Sequence, residues 1–238
     1  MKTSQICAGL LFAAMAGAAG IFPAAAEGPH VAPITELVGS KLKAAIADPV
    51  VIQAIKAQNA ANQSLSQADI DALDQTWRSE ADAGGGELMD KTLKAPASAY
   101  LKSVQNDAAG LITEVFVMDA RGLNVGQSDP TSDYWQGDEA KWQKTYGSGG
   151  EAIFVDEIEQ DESTQMLQSQ ASFTIVDPET NEPIGAATVG VNLDMLEPLT
   201  RTKRKGSAPW PTTRAALEAR FPSASKPRSS RRFPSSSA

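Results

Sequence analysis

Four aromatic residues in one short stretch, Tyr134, Trp135, Trp142 and Tyr146, are the side chains of this sequence best suited to hold a ligand. Their rings offer flat apolar walls, and their indole N–H and phenol O–H groups add polar handles. Trp135, Glu139, Trp142 and Tyr146 recur at steps of four, three and four, which predicts one helical face carrying all four. Stacking and cation–π contact with a small ligand are within their chemistry. An acidic run follows, Asp156-Glu157-Ile158-Glu159-Gln160-Asp161-Glu162. It admits three readings: a solvated hairpin, a calcium site of hard oxygen ligands, or a single ligand contact through Asp156 at the end of a strand. The run lacks the sixth-position glycine of a twelve-residue calcium loop, and no substrate motif accompanies its paired acids. Gln170 and Ser172, on the polar side of a later strand, are placed to orient a ligand.

What is missing narrows the chemistry further. The chain has one histidine and one cysteine, too few for a histidine-based triad or a zinc centre. The histidine, His30, lies in a Gly-Pro context near the start of the mature chain and is expected to be mobile. Gly147-Ser148-Gly149-Gly150 lacks the lysine and following helix of a phosphate loop and reads as a hinge. A hydrolase is therefore not expected, the chain is read as no enzyme, and no cofactor or metal is called for.

The elements that must position these side chains are legible in order. Pro33 to Ala47 carries Ile34, Leu37, Val38, Leu42, Ala45 and Ile46 at three- and four-residue steps, an amphipathic helix. Asp48-Pro49 restarts it as cap and first-turn proline. Ser66, with Asp69 three residues on, opens a third helix through Ile70, Leu73 and Trp77, and Gly84-Gly85-Gly86 ends it. Trp77 reads as core. A further helix or pair runs from Glu87 to Asp107. Leu111 to Met118 is a β-branched and aromatic run that meets Asp119-Ala120-Arg121-Gly122, a hairpin turn leading into Leu123 to Gln127. Glu151 to Ile158, Met166 to Val176 and Ile184 to Leu193 complete about five strands, the last two joined by the turn-rich segment 177–183. In the fourth, Leu167, Ala171, Phe173 and Ile175 alternate with Gln168, Gln170, Ser172 and Thr174, giving one dry and one polar side. The aromatic helix is expected to roof the polar side and make a pocket of it.

The order of "VFVMDARGLNVGQSD", "SDYWQGDEAKW", "IFVDEIEQDEST" and "FTIVDPETNEPIGAATVGVNL" resembles the single Cache, or PDC, extracellular sensor domain over roughly residues 35 to 196. The resemblance implies a PAS-like α+β fold, with N-terminal helices packed on a curved antiparallel sheet of about five strands. It also implies a small-metabolite pocket between the sheet and a short helix with loops. Amino-acid-binding members of the wider family use a Tyr, Arg, Trp and Tyr cluster before the third strand and an Asp after it. Tyr134, Trp135, Trp142 and Asp156 fit some of those positions, but no Arg lies between Gly122 and Leu199, so the usual carboxylate clamp is missing.

The two ends differ from the body. Residues 1–26, with Lys2, an apolar run from Ile6 to Phe22 and Ala24-Ala25-Ala26, read as a signal peptide cleaved after Ala26; the run is shorter than a membrane span requires. Cys7 would leave with it. Residues 27–200 form one sensor-like domain, mainly helical over 27–109 and sheet with the aromatic helix over 110–196. This body carries 28 acids against 10 bases, whereas 201–238 carries 10 bases against one acid. The acidic body disfavours nucleic acid and anionic lipid. The Ser-, Pro- and Arg-rich tail is expected to be disordered. It is read as a solvated extension, an arm for phosphate-bearing surfaces, or translation past a frameshift.

These readings add up to a periplasmic or secreted protein that binds a small polar metabolite, cationic or aromatic, between the Trp135/Trp142 segment and the polar sheet face. No span outside the signal is apolar enough for a membrane, so a signal would pass to a separate membrane sensor. The alternative is a ligand-free interaction protein that docks onto such a sensor or pairs as a homodimer.

Overall fold

A computed structural model describes residues 28–160 and 166–196. The expected signal peptide, Asp161, Glu162 and the basic segment 201–238 lie outside the described residues. Helices come first: α1 (Val31–Leu37), a π turn (Val38–Leu42), α2 (Lys43–Ile46), α3 (Pro49–Asn62), α4 (Gln67–Asp82), α5 (Glu87–Leu93) and α6 (Pro96–Asp107). The strands follow as β1 (Ile112–Met118), β2 (Asn124–Gln127), β3 (Ile153–Gln160), β4 (Leu167–Val176) and β5 (Pro183–Asn192), with α7 (Ala140–Gln143) and a 3-10 turn (Tyr146–Ser148) between β2 and β3. This is the expected α+β architecture.

Local chemistry accounts for the helix boundaries. The Asp48 side chain accepts the Val50 N–H at 2.9 Å with Pro49 in the first turn. Ser66 and Asp69 close a reciprocal capping box at the start of α4. Pro96 opens α6. One feature escaped the periodicity: apolar residues at Ile34, Val38, Leu42 and Ile46 are spaced by four, which drifts by about 40° per step on an α-helix. The wider π turn at Val38–Leu42 absorbs that drift and keeps all four buried in one stripe.

Every strand pairing is antiparallel, in the order β2-β1-β5-β4-β3. Val115, Val117, Val155, Ala171, Phe173, Ile175, Ala187, Val189 and Val191 pack with the inner residues of α1 to α3 and α6 in the principal core. A second core, Ile70, Trp77, Met89, Leu123 and Tyr134, joins α4 and α5 to the β2 side. Trp77 is fully buried, and its indole N–H reaches Thr131 O at 2.8 Å. The turn after β1 is pinned by Asp119, whose carboxylate accepts Arg121 N at 2.8 Å and Leu123 N at 3.0 Å. Gly122 has a φ of +80° there, and a Cβ on it would lie 2.5 Å from Gly137 Cα, so both the dihedral and the close approach require glycine.

Candidate functional site

The side of the sheet turned away from the helices is built in cross-strand rows. One row runs Gln127, Phe116, Thr188, Ser172, Phe154 across all five strands, from pairings Phe116↔Gln127, Phe116↔Thr188, Ser172↔Thr188 and Phe154↔Ser172. Two hydroxyls therefore sit between two phenylalanines. Ser172 Oγ and Thr188 Oγ1 are 2.9 Å apart, and both residues are buried. In the adjacent row Glu114 and Gln170 flank Gly190. Gly190 leaves room for Gln170 Nε2 to donate to Glu114 Oε1 at 2.8 Å across the intervening strand. Burial raises the Glu114 carboxyl above the ordinary range; the Gln170 hydrogen bond and the Lys141 charge oppose this only in part.

A short roof crosses this face. Trp142 and Tyr146, with ring centroids 5.4 Å apart, pack on Phe116, Met118 and Ala186. Lys141 Nζ stands 5.6 Å from the Phe116 ring centre and Lys144 Nζ 4.3 Å from that of Phe154, so each phenylalanine of the row carries an ammonium. Lys141 also pairs with Glu139 at 2.9 Å. Together the face offers two cations, one half-buried carboxylate, an amide and two hydroxyls beside the aromatic roof. That combination suits a small polar molecule better than a hydrocarbon.

The roof differs from the expected single helix. Its α-helical part is only Ala140–Gln143, and Trp135 lies outside it. The reason is the hairpin: Leu123 bridges Trp135, Gln136 N donates to Gly122 O at 2.8 Å, and the Trp135 indole N–H donates to Arg121 O at 2.9 Å. These contacts hold the segment before Gly137 extended. Trp142 and Tyr146 alone of the four aromatics cover the sheet face. Tyr134 stacks on Trp77 at 5.3 Å in the second core, where burial pushes its phenol up to about 12. The Tyr134 and Trp135 main-chain N–H groups both donate to Asp74 Oδ1, at 2.9 and 3.0 Å.

Asp156 is not at a strand end, because β3 continues to Gln160 past an irregularity between Val155 and Ile158. Its carboxylate accepts Glu157 N at 2.9 Å, and its carbonyl accepts Ser169 Oγ at 2.8 Å and His30 Nε2 at 3.1 Å. His30, expected to be mobile, is anchored on β3 by that bond. Gln170 and Ser172 point to the sheet face that carries the roof, on the polar side the strand alternation implied. Glu114, Phe116, Lys141, Lys144, Phe154 and Thr188 were not singled out in the sequence. Lys141 and Lys144 had a usable signal, three residues apart and flanking Trp142. Among the described residues no cluster of acids, His or Cys forms a metal centre. A separate cleft of about 120 Å³, lined by Lys43, Ala47, Glu151 and residues 173–176 of β4 among others, holds none of the expected site residues.

No protein-family description matches the chain, and no curated protein does. Solved structures with a similar order of elements are sensor or ligand-binding domains. The sensor domain of the Vibrio cholerae histidine kinase DctB shares 12% identity at a TM-score of 0.38, over 71% of this chain and 57% of that one. The ligand-binding domain of the Campylobacter jejuni chemoreceptor Tlp3, in complex with 4-methylisoleucine, shares 12% at 0.33, over 70% and 62%. The Escherichia coli DcuS sensor domain shares 16% at 0.32, over 56% and 93%. The chain thus spans less than two thirds of the first two of these structures. At such scores the likeness is too loose to carry residue roles across.

Proposed function

We propose that this protein is an extracellular or periplasmic small-molecule sensor of the Cache type. Its ligand is a small polar metabolite bearing a carboxylate, held between the Trp142/Tyr146 roof and the polar sheet face. The observation that carries this is two hydrogen-bonded polar contacts, Glu114–Gln170 and Ser172–Thr188, buried or half-buried on the sheet face that Trp142 and Tyr146 cover at Phe116, Met118 and Ala186. A sheet face with no ligand to receive has no need to withdraw such groups from water. Lys141 and Lys144 supply the positive charge that the absence of arginine between 122 and 199 had left unprovided. Because these lysines already occupy the Phe116 and Phe154 rings, an anionic or zwitterionic ligand fits better than the cationic one.

The test is a thermal-shift screen of amino acids, organic acids, amines and purines. The expected result is stabilisation by one carboxylate-bearing class, rising with concentration as RT ln(1 + [L]/Kd). A response to cationic amines alone would refute the ligand class.

A second reading, docking onto a membrane sensor or a second copy without a ligand, is favoured by one observation. Ile158 and Leu167, 44% and 43% exposed, lie on the helix-facing side at the open β3 end of the sheet. Light scattering that gave a dimer, together with silence across the metabolite screen, would support it.

A further inference from the structure

Among the described residues three large apolar side chains are exposed, Ile158, Leu167 and Met195, at 44%, 43% and 44%. All three lie at one end of the sheet. Ile158 stands opposite Ser169 and Leu167 opposite Gln160, while Ser169 and Gln168 stand opposite Val191 and Asn192 of β5. Met195 follows in a turn held by Asn192 Oδ1, which accepts the Asp194 and Met195 main-chain N–H groups at 3.0 and 3.3 Å. The rim of this patch is acidic. Glu157, Glu159 and Asp194 are exposed, and none has an ion pair among the described residues. β3 is also the last strand of the sheet, and among the described residues no strand pairs with its outer edge. Ile158 and Leu167 lie on the helix-facing side and Glu159 on the other, so an occupant of the edge itself reaches both. Such an edge calls for a basic, extended segment.

Two copies meeting at this edge would set Glu157 and Glu159 against their counterparts, an unfavourable pairing. The chain's own continuation fits better. Leu196 is buried in the principal core, three strands from the outer edge of β3, so the residues after it start beside the patch. Residues 199–205 read Leu-Thr-Arg-Thr-Lys-Arg-Lys. Arg201, Lys203 and Lys205 stand at every second position, which puts them on one side of an extended segment and Thr200, Thr202 and Arg204 on the other. The outer edge of β3 lies about 15 Å from β5 at the usual strand spacing, and the five residues from Leu196 to Arg201 span about 17 Å when extended. A tether this short supplies a roughly millimolar effective concentration, so individually weak surface pairs suffice.

We propose that segment 199–205 docks along the outer edge of β3. Arg201, Lys203 and Lys205 pair with Glu157 and Glu159, while Thr200, Thr202 and the aliphatic stem of Arg204 cover Ile158 and Leu167. The chain's own tail thereby takes the patch that the docking reading gives to a partner. The proposal goes beyond the sensor reading and does not depend on it.

The experiment is limited tryptic digestion of the full chain, with cleavage after Arg201, Lys203, Arg204 and Lys205 followed by mass spectrometry. Cleavage in the wild type is expected to be slow and unaffected by dilution. Glu157→Gln/Glu159→Gln, which only discharges two exposed side chains, should speed it several-fold with circular dichroism unchanged. A carbodiimide should join Lys203 or Lys205 to Glu157 or Glu159 within a single chain. Equal cleavage rates in the wild type and the variant overturn the proposal. So do crosslinks that form only between an isotopically labelled copy and an unlabelled one, which would assign the patch to a second copy. The wild-type crosslinks decide the matter even where the variant folds poorly.

Discussion

Asp119 is fully buried, and among the described residues it has no ion pair. Its carboxylate is held by four N–H donors, from Gln58 at 3.0 Å, Asn62 at 2.8 Å and the main chain of Arg121 and Leu123. Its carbonyl accepts the Trp142 indole N–H at 3.1 Å. One residue therefore ties α3, the hairpin turn and the roof together. Asp119→Ala would strand several buried donors and should cost about 3 kcal/mol or more, read as a lower urea midpoint. Glu114 acts in the opposite sense. Its folded pKa is raised by burial, so the folded state binds the proton more tightly than the unfolded chain. Stability should fall as pH rises from the ordinary carboxylate value through the raised one. Glu114→Gln should flatten that part of the profile and leave the protein at least as stable at pH 7, in melting curves taken from pH 4 upward. Glu114 was hidden in the sequence because it sits inside a β-branched run. Its partner Gln170 is 56 residues away, and only strand register brings them together. Tyr134 and Trp135 misled for a related reason: residue type marks an aromatic as useful, yet packing on Trp77 and the hairpin decides what it does.

At the scale of elements, boundaries with a local chemical cause were readable and those set by tertiary contact were not. Caps at Asp48 and Ser66, the glycine stop at 84–86, the Asp119–Gly122 turn and all five strands follow from side chains acting within a few residues. Ser66→Ala should lower stability by about 1 kcal/mol by opening the α4 capping box, with helical circular dichroism largely kept. The π turn and the short roof helix have no such local signature. The first answers a four-residue apolar spacing, and the second results from Gly122 meeting Gly137 across the hairpin. Gly122→Ala should therefore strain the turn and dislodge the roof together. The expected readout is a loss of more than 1 kcal/mol in urea unfolding, with faster hydrogen exchange of the amides in 135–146.

Across the whole molecule, one sheet separates two environments. The helices close one side with a continuous apolar core, and the other keeps a polar row under a roof of one helical turn and a 3-10 turn. The Trp142 bond to Asp119 links this short roof, through the Gln58 and Asn62 amides, to α3. The acidic character of the body leaves Lys141 and Lys144 as local exceptions on the roofed side, where the proposed ligand would lie. The most direct test of this account is calorimetric titration of the stabilising metabolite into wild-type protein, Lys141→Met and the Ser172→Ala/Thr188→Val double variant. The account predicts one saturable site in the wild type, weakened at least tenfold in both variants while their folds stay intact. Unchanged affinity in both variants would contradict it.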